Sequence, residues 1–477
     1  MSGAMELRGR DHFPESDEAA PPLDSPPLAT ALARAILEAR SADFPVAVRE
    51  KARACLLDFL GCAFDSRDLP WSRQAASLAE GKGPCTIIAS PDGASHGVSH
   101  GASPGDAAFA NAVAGHGLVR EDMHVGAVAH LGVVVLPALL ALAERRDRTL
   151  AAVIDAAVIG YEVGAKLGRA IVTPEFSRFF RPTGFVGPAA AAAASAVLLG
   201  LDEARIQSAL SLAANMASGL NQWPHSGADD MFFHPGVAAR NGLTAVRLAE
   251  LGAEGAEGAL DGQAGLLTAM RPDRKVPPVR LFDGAPEILS VFFKPVPVCN
   301  FAQTPALAAI KLATDGRIDP WAIRSVHVRV SRAAKVYPGC DHAGPFARIL
   351  QAKMSIQYAV ASALLEGRVD EASYADLADP ARRALAEKIM VEADDTYTAA
   401  FPQQQSAAVE IRTQDGVSLS CALADVVAAD PAGVRARFRR AAGAAVGTDA
   451  AQRIEALVDD PSGEISVASL MALTRRG

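Results

Sequence analysis

The chain has 477 residues, half of them hydrophobic and 21% charged, with a net charge of −8. That is enough apolar material for two or three domains with large cores. The acidic balance and the lack of any basic stripe argue against a nucleic-acid partner. The most apolar run, Val133 to Leu142, stops at Glu144-Arg145-Arg146, too short for a membrane span.

Six cysteines (Cys55, Cys62, Cys85, Cys299, Cys340 and Cys421) show neither CxxC nor finger spacing. They read as reduced thiols, so a cytoplasmic location is expected. Residues 1–26 are charged and Pro-rich and read as a disordered tail. From Pro27, apolar residues recur at helical spacing to Arg40, and again from Pro45 to Ser66. Residues 66–105 read as connections with one short helix and a short strand at Cys85–Ile88. Asp106–Gly115, Val133–Arg145 and Leu150–Ile171 read as helices. Phe176–Gly187 reads as a loop, Pro188–Leu199 as an Ala-rich buried helix, and Asp202 to about Leu220 as another. Asn221–His234 reads as a second polar loop, ahead of a helix from Pro235 to Leu251.

The texture changes near Lys294, where Pro295-Val296-Pro297-Val298 follows. Thr304–Ala313 and Met354–Leu365 read as helices. Ser325–Ser331 alternates strictly and reads as a strand. Ala407–Arg412 and Val417–Leu423 flank Gln414-Asp415-Gly416 as a hairpin. The expected architecture is mainly α. A large helical domain spans 27–293 and resumes over 429–477, and a smaller α+β lid domain spans 294–428.

One stretch concentrates polar chemistry. Gly115 to Pro137 holds His116, His124, His130, Glu121, Asp122 and Arg120, in a chain with only 10 histidines. A polar knot at the mouth of a buried helix suits a small-molecule site. His116, Asp122, His124 and His130 are ligand-type residues, but their spacing matches no compact metal motif. No metal or other cofactor is expected.

Leu57–Cys62 (LDFLGC), Asp106–Asn111 (DAAFAN), the knot, Gly160–Val163 (GYEV), Phe233–Gly236 (FHPG) and Ser355–Val360 (SIQYAV) occur in that order. Together they resemble the MmgE/PrpD family over nearly the whole chain. The resemblance implies a helical domain of two segments, an inserted α+β lid, a cleft between them and a homodimer. It also implies metal-free chemistry on small di- or tricarboxylates. His130, His234 and Asp122 stand at matching positions, and Lys335 and Tyr337 lie near that of a lid tyrosine. The chain departs from the pattern elsewhere. Val119 and Arg120 interrupt an Asp-rich run, Met231 stands where lysine is common, Gln303 where histidine is common, and Arg181 where a loop often carries another histidine.

Removing a proton next to a carboxylate needs a base within reach and cations around the growing charge. His130 and Lys335 are expected to share the acid–base work, with Asp122 beside His130. Arg181, His234, Gln303, His124, Tyr337 and Arg120 are the candidate substrate contacts. Asp122 and His124 are a candidate carboxylate–histidine pair. The expected activity is that of a lyase on a small polycarboxylate, with an isomerase or epimerase as the alternative and a non-catalytic carboxylate binder as a further one.

Overall fold

A computed structural model describes residues 26–79, 83–90, 101–271, 275–316 and 318–475. The tail expected over 1–26 lies outside them except for Pro26. The fold is mainly α, with a smaller α+β part.

The Ala-rich Pro182–Leu199 helix is central to the helical body. It packs against Gly132–Arg146, Leu150–Ile171, Glu203–Ala214 and Asp230–Glu250. Small side chains let these helices approach closely. A Cβ at Gly242 would stand 2.5 Å from Ala191 Cβ and 2.8 Å from the Pro188 carbonyl. The Pro182–Leu199 helix is long and apolar enough to cross a membrane, but 89% of it is buried inside the protein. Its apolarity therefore serves the core, as expected of a helix that is hydrophobic all round.

The second part is built on a four-stranded sheet in the order Ile389–Ala393, Ile323–Val330, Ala407–Thr413, Ser418–Leu423. The first pair is parallel and the others antiparallel. Val326, Val328 and Val330 point inward at strand period, and the Gln303–Gly316 and Ile356–Glu366 helices cover the sheet. The helix Pro431–Val446 then returns to the first body. It lies along Val46–Ser66, where Gly61 lets Phe438 come close, and Arg437 pairs with the buried Asp58 at 3.2 Å. Val434, Phe438, Ile454 and Leu470 join the first core.

Several elements differ from their sequence reading. The expected loop 176–187 is instead the Pro174–Phe179 helix and the start of Pro182–Leu199. Thr173 caps the first, its hydroxyl accepting from Phe176 N at 3.1 Å, and Pro174 and Pro182 occupy first-turn positions where no N–H is needed. The helix expected from Pro235 begins at Asp230 and so contains His234. The helix expected to reach Leu220 ends at Ala214. The strand Ile389–Ala393 has no clear sequence signal, being short and only partly alternating.

Substituting Gly242→Val should test the close helix packing. Overpacking of this kind costs about 1–3 kcal/mol, so chemical denaturation should show a clear loss of stability. A variant as stable as the parent would mean the helices can separate at no cost.

Candidate active site

The Pro104–His116 helix starts with a capping serine, Ser103, whose hydroxyl accepts from Asp106 N at 3.1 Å. It ends by delivering His116 into the interior, fully buried. The loop after it turns sharply. Val119 and Val128 adopt left-handed backbone angles, with φ of 58° and 48°. Such angles are unfavourable for β-branched residues and persist only where the surroundings enforce them. Here the loop is held from both ends. Lys294 Nζ donates to the Val119 carbonyl at 2.8 Å, and Lys353 Nζ donates to the Leu118 carbonyl at 3.1 Å. Met123–His124 also pairs with Val291–Phe292 as a two-stranded ribbon.

Within this loop Glu121 is the hub. Its Oε1 lies 2.6 Å from His116 Nδ1 and 2.7 Å from His130 Nδ1. Arg181 lies on the far side of His116, its Nη2 donating to His116 Nε2 at 2.7 Å and its Nη1 to the Met231 carbonyl at 2.7 Å. A guanidinium has no acceptor, so His116 Nε2 must be the bare nitrogen and Nδ1 must carry the proton. His130 likewise turns Nδ1 to the carboxylate, and Nδ1 is also 3.2 Å from the Asp122 carbonyl. Its Nε2 is left as the free nitrogen.

Burial lowers the His116 pKa to about 3 and that of His130 to about 4, against the opposing pull of Glu121. Burial works to raise Glu121, but His116 and His130 outweigh it and hold the carboxyl well below its usual range. At neutral pH the cluster is therefore a carboxylate accepting from two neutral imidazoles. His116, Glu121 and His130 are close enough to hold a metal ion. However, both Nδ1 atoms point at the carboxylate, and a guanidinium caps the remaining His116 nitrogen. This donor set suits a hydrogen-bond relay, and the neighbouring positive charge opposes a metal cation.

His130 and Arg181 open on a narrow pocket that Lys294, Cys299, Asn300 and Tyr337 also line. Val119, Val128 and Trp223 supply part of its apolar wall. Burial lowers Arg181 to about 10, still cationic at neutral pH, and lowers Lys294 as well. Two cations against the Glu121 carboxylate leave a positive excess in a buried space, which favours an anion. The Cys299 thiol is 3.7 Å from that of Cys340, and that contact, followed by Lys294, depresses its pKa.

Of the nine residues singled out in the sequence, His130, Arg181 and Tyr337 line this cavity. Lys335 does not, and it does not meet His130 across the hollow. Its Nζ is 3.1 Å from Asp341 Oδ2 and 2.5 Å from the Val391 carbonyl, on the sheet side of its short helix. Asp122 stands behind the loop, bonded to the Tyr161 hydroxyl and accepting from Gly132 N at 3.2 Å. Burial raises it to about 6. It does not pair with His124, which contacts Glu287 at 2.8 Å. Gln303 is wholly internal, donating to the Val296 and Val298 carbonyls. Arg120 pairs with Asp65 at 2.8 Å. His234 lies within the Asp230–Glu250 helix and not at its start, and it is not among the residues lining this cavity. Its Nδ1 is buried without a partner among the described residues, and burial, then Arg181, lowers its pKa to about 3.

Sequence reasoning missed Lys294, Cys299 and Asn300 as wall residues. It saw Glu121 and His116 in the knot without giving either a role. The one signal for Lys294 was its place at the texture change, immediately before a Pro-rich segment.

The close approach at Gly132 yields a test. A Cβ there would stand 2.6 Å from Asp122 Oδ2 and would also meet the Tyr161 hydroxyl. Gly132→Ala should displace the buried Asp122 carboxylate and lower stability by about 1–3 kcal/mol, read by thermal denaturation. An unchanged melting temperature would show that Asp122 does not anchor the loop.

Comparison with known proteins identifies the family. The MmgE/PrpD N-terminal domain model matches residues 30–278, and the MmgE/PrpD C-terminal domain model matches residues 296–460. A cis-aconitate decarboxylase-like protein of Aspergillus oryzae is 32% identical over 241 residues, 48% of this chain and 48% of its own length. The chain thus spans about half of that relative. The cis-aconitate decarboxylase of Aspergillus terreus is 28% identical over 405 residues, 79% of this chain and 81% of its own length. The human cis-aconitate decarboxylase is 27% identical over 306 residues, 61% of each chain. The chain belongs to the MmgE/PrpD family, a lyase-type enzyme family.

Proposed function

We propose that this protein is a metal-independent lyase acting on a small di- or tricarboxylate. The observation that carries the reading is the free Nε2 of His130 in a buried cavity that also presents Arg181 and Lys294. His130 transfers a proton to or from the carbon next to a substrate carboxylate. Arg181 and Lys294 hold the carboxylates and stabilise the charge that builds on them. The Tyr337 hydroxyl, whose pKa burial raises, stays protonated and donates a hydrogen bond. The Asp122 carbonyl and Glu121 together fix the His130 tautomer, and the Glu121 carboxylate stabilises the imidazolium formed when His130 takes a proton. The substrate loses water or carbon dioxide, and the similarity to cis-aconitate decarboxylases makes cis-aconitate the first compound to assay. A homodimer, implied by the family, is part of this proposal.

Epimerisation is the second reading, because it needs a second acid–base group on the other face of the carbon. The Cys299 thiol lines the same cavity with a lowered pKa and is the group that would serve. Reaction in deuterated water separates the two readings. A lyase gives an alkene or carbon dioxide, whereas an epimerase exchanges the α-proton without net elimination.

His130→Gln should lower kcat/KM by about 10²–10⁴-fold, the usual value of a positioned acid–base group. Lys335→Ala should change it less than about twofold, since an exposed ion pair contributes little. With His130 acting as the base, its neutral form is the active one in the free enzyme. Activity as kcat/KM should then rise with pH through about 4 and be flat by pH 6. An acid limb centred near the ordinary histidine value of about 6.5, or full activity in His130→Gln, would overturn the assignment.

A further inference from the structure

A second, larger cavity of about 320 Å³ lies against the first, and Val128, Phe301 and Tyr337 line both. The helical body contributes Val172 and Pro174 to its wall, and the other part contributes Val336, Phe401 and Pro402. Arg178 and Arg332, both exposed, also line it. Neither guanidinium has a carboxylate partner among the described residues. Val336, on the same wall, is 47% exposed.

The inner pocket is narrow, and a compact dicarboxylate gripped at its mouth by Arg181 and Lys294 leaves the far apolar residues of this wall, Val172, Val336 and Phe401, in water. Apolar surface gathered into one concave chamber beside a reacting centre is better explained by a ligand that covers it. The unpaired arginines give the chamber a positive lining that draws an anionic molecule in.

We propose that the substrate carries an apolar arm which leaves the inner cavity past Phe301 and Tyr337 and lies in this outer chamber. The inference rests on the carboxylate-binding reading of the inner cavity. It narrows the substrate class to polycarboxylates bearing an alkyl chain of several carbons. The carboxylates stay with Arg181 and Lys294, the arm covers Val172, Val336 and Phe401, and Arg178 and Arg332 flank the way in.

Calorimetric titration of the full chain with succinate and with 2-methyl-, 2-propyl- and 2-hexylsuccinate tests this. Affinity should rise about two- to fourfold per added methylene, in line with apolar burial, until the chain outgrows the chamber. Val336→Asp, at an exposed position that should tolerate it, should abolish that gain and leave succinate binding unchanged. Ala333→Phe, which narrows the chamber from the same short helix, should do likewise. Flat or falling affinity along the series, with succinate still bound, overturns the arm and leaves the carboxylate reading standing. A chain-length gain that survives both substitutions places the arm elsewhere and also overturns it. Failure of succinate and all its alkyl derivatives to bind removes both readings together.

Discussion

A single buried carboxylate, Glu121, organises the chemistry of this protein. Its Oε1 accepts from two imidazoles at 2.6 and 2.7 Å, and its Oε2 has no partner among the described residues. A buried charge is costly unless neighbouring dipoles and charges compensate it. Here the compensation comes from two N–H donors and from Arg181, which touches the relay through His116. That arrangement fixes both tautomers, and a fixed tautomer is what gives His130 one free nitrogen. The same constraint explains why His116 is wholly buried. It transmits the guanidinium's position to the carboxylate and does not line the cavity itself.

The carboxylate is in turn held by a loop that would not adopt its shape alone. Val119 and Val128 sit at positive φ, which costs on the order of 1–3 kcal/mol per residue. Lys294 and Lys353 clamp this loop from the far side of the seam, each spanning carbonyls of the loop and of the 297–298 turn. Lys353 also pairs with Glu371 at 2.9 Å, whereas Lys294, among the described residues, meets only carbonyls and the cavity. One lysine is thus structural and the other is available to an anion. The Pro-rich turn and the histidine loop are one assembly, although 175 residues separate Val119 from Lys294.

The helical periodicities over 28–40, 46–66 and 150–171, and the strict alternation before Ser331, were legible because local pattern decides them. The elements misread were set by other factors. The Pro174 and Pro182 helix starts look like breakers in a polar, aromatic stretch, and the strand Ile389–Ala393 depends on a parallel neighbour more than 60 residues earlier. In the site, His130, Arg181 and Tyr337 were legible through the histidine knot and the family resemblance. Lys335 was misplaced because Ser331 caps a short helix, Arg332–Val336, that turns Lys335 toward Asp341 while Tyr337 faces the cavity. Lys294 resembled a linker residue. Its burial is a property of the seam, and no local pattern encodes it.

Glu121 holds His116 and His130 as neutral imidazoles protonated on Nδ1. Long-range nitrogen–proton NMR of the histidine side chains reads this directly at pH 7. Two neutral, Nδ1-protonated rings are expected. Two imidazolium rings, or an Nε2-protonated His130, would contradict this.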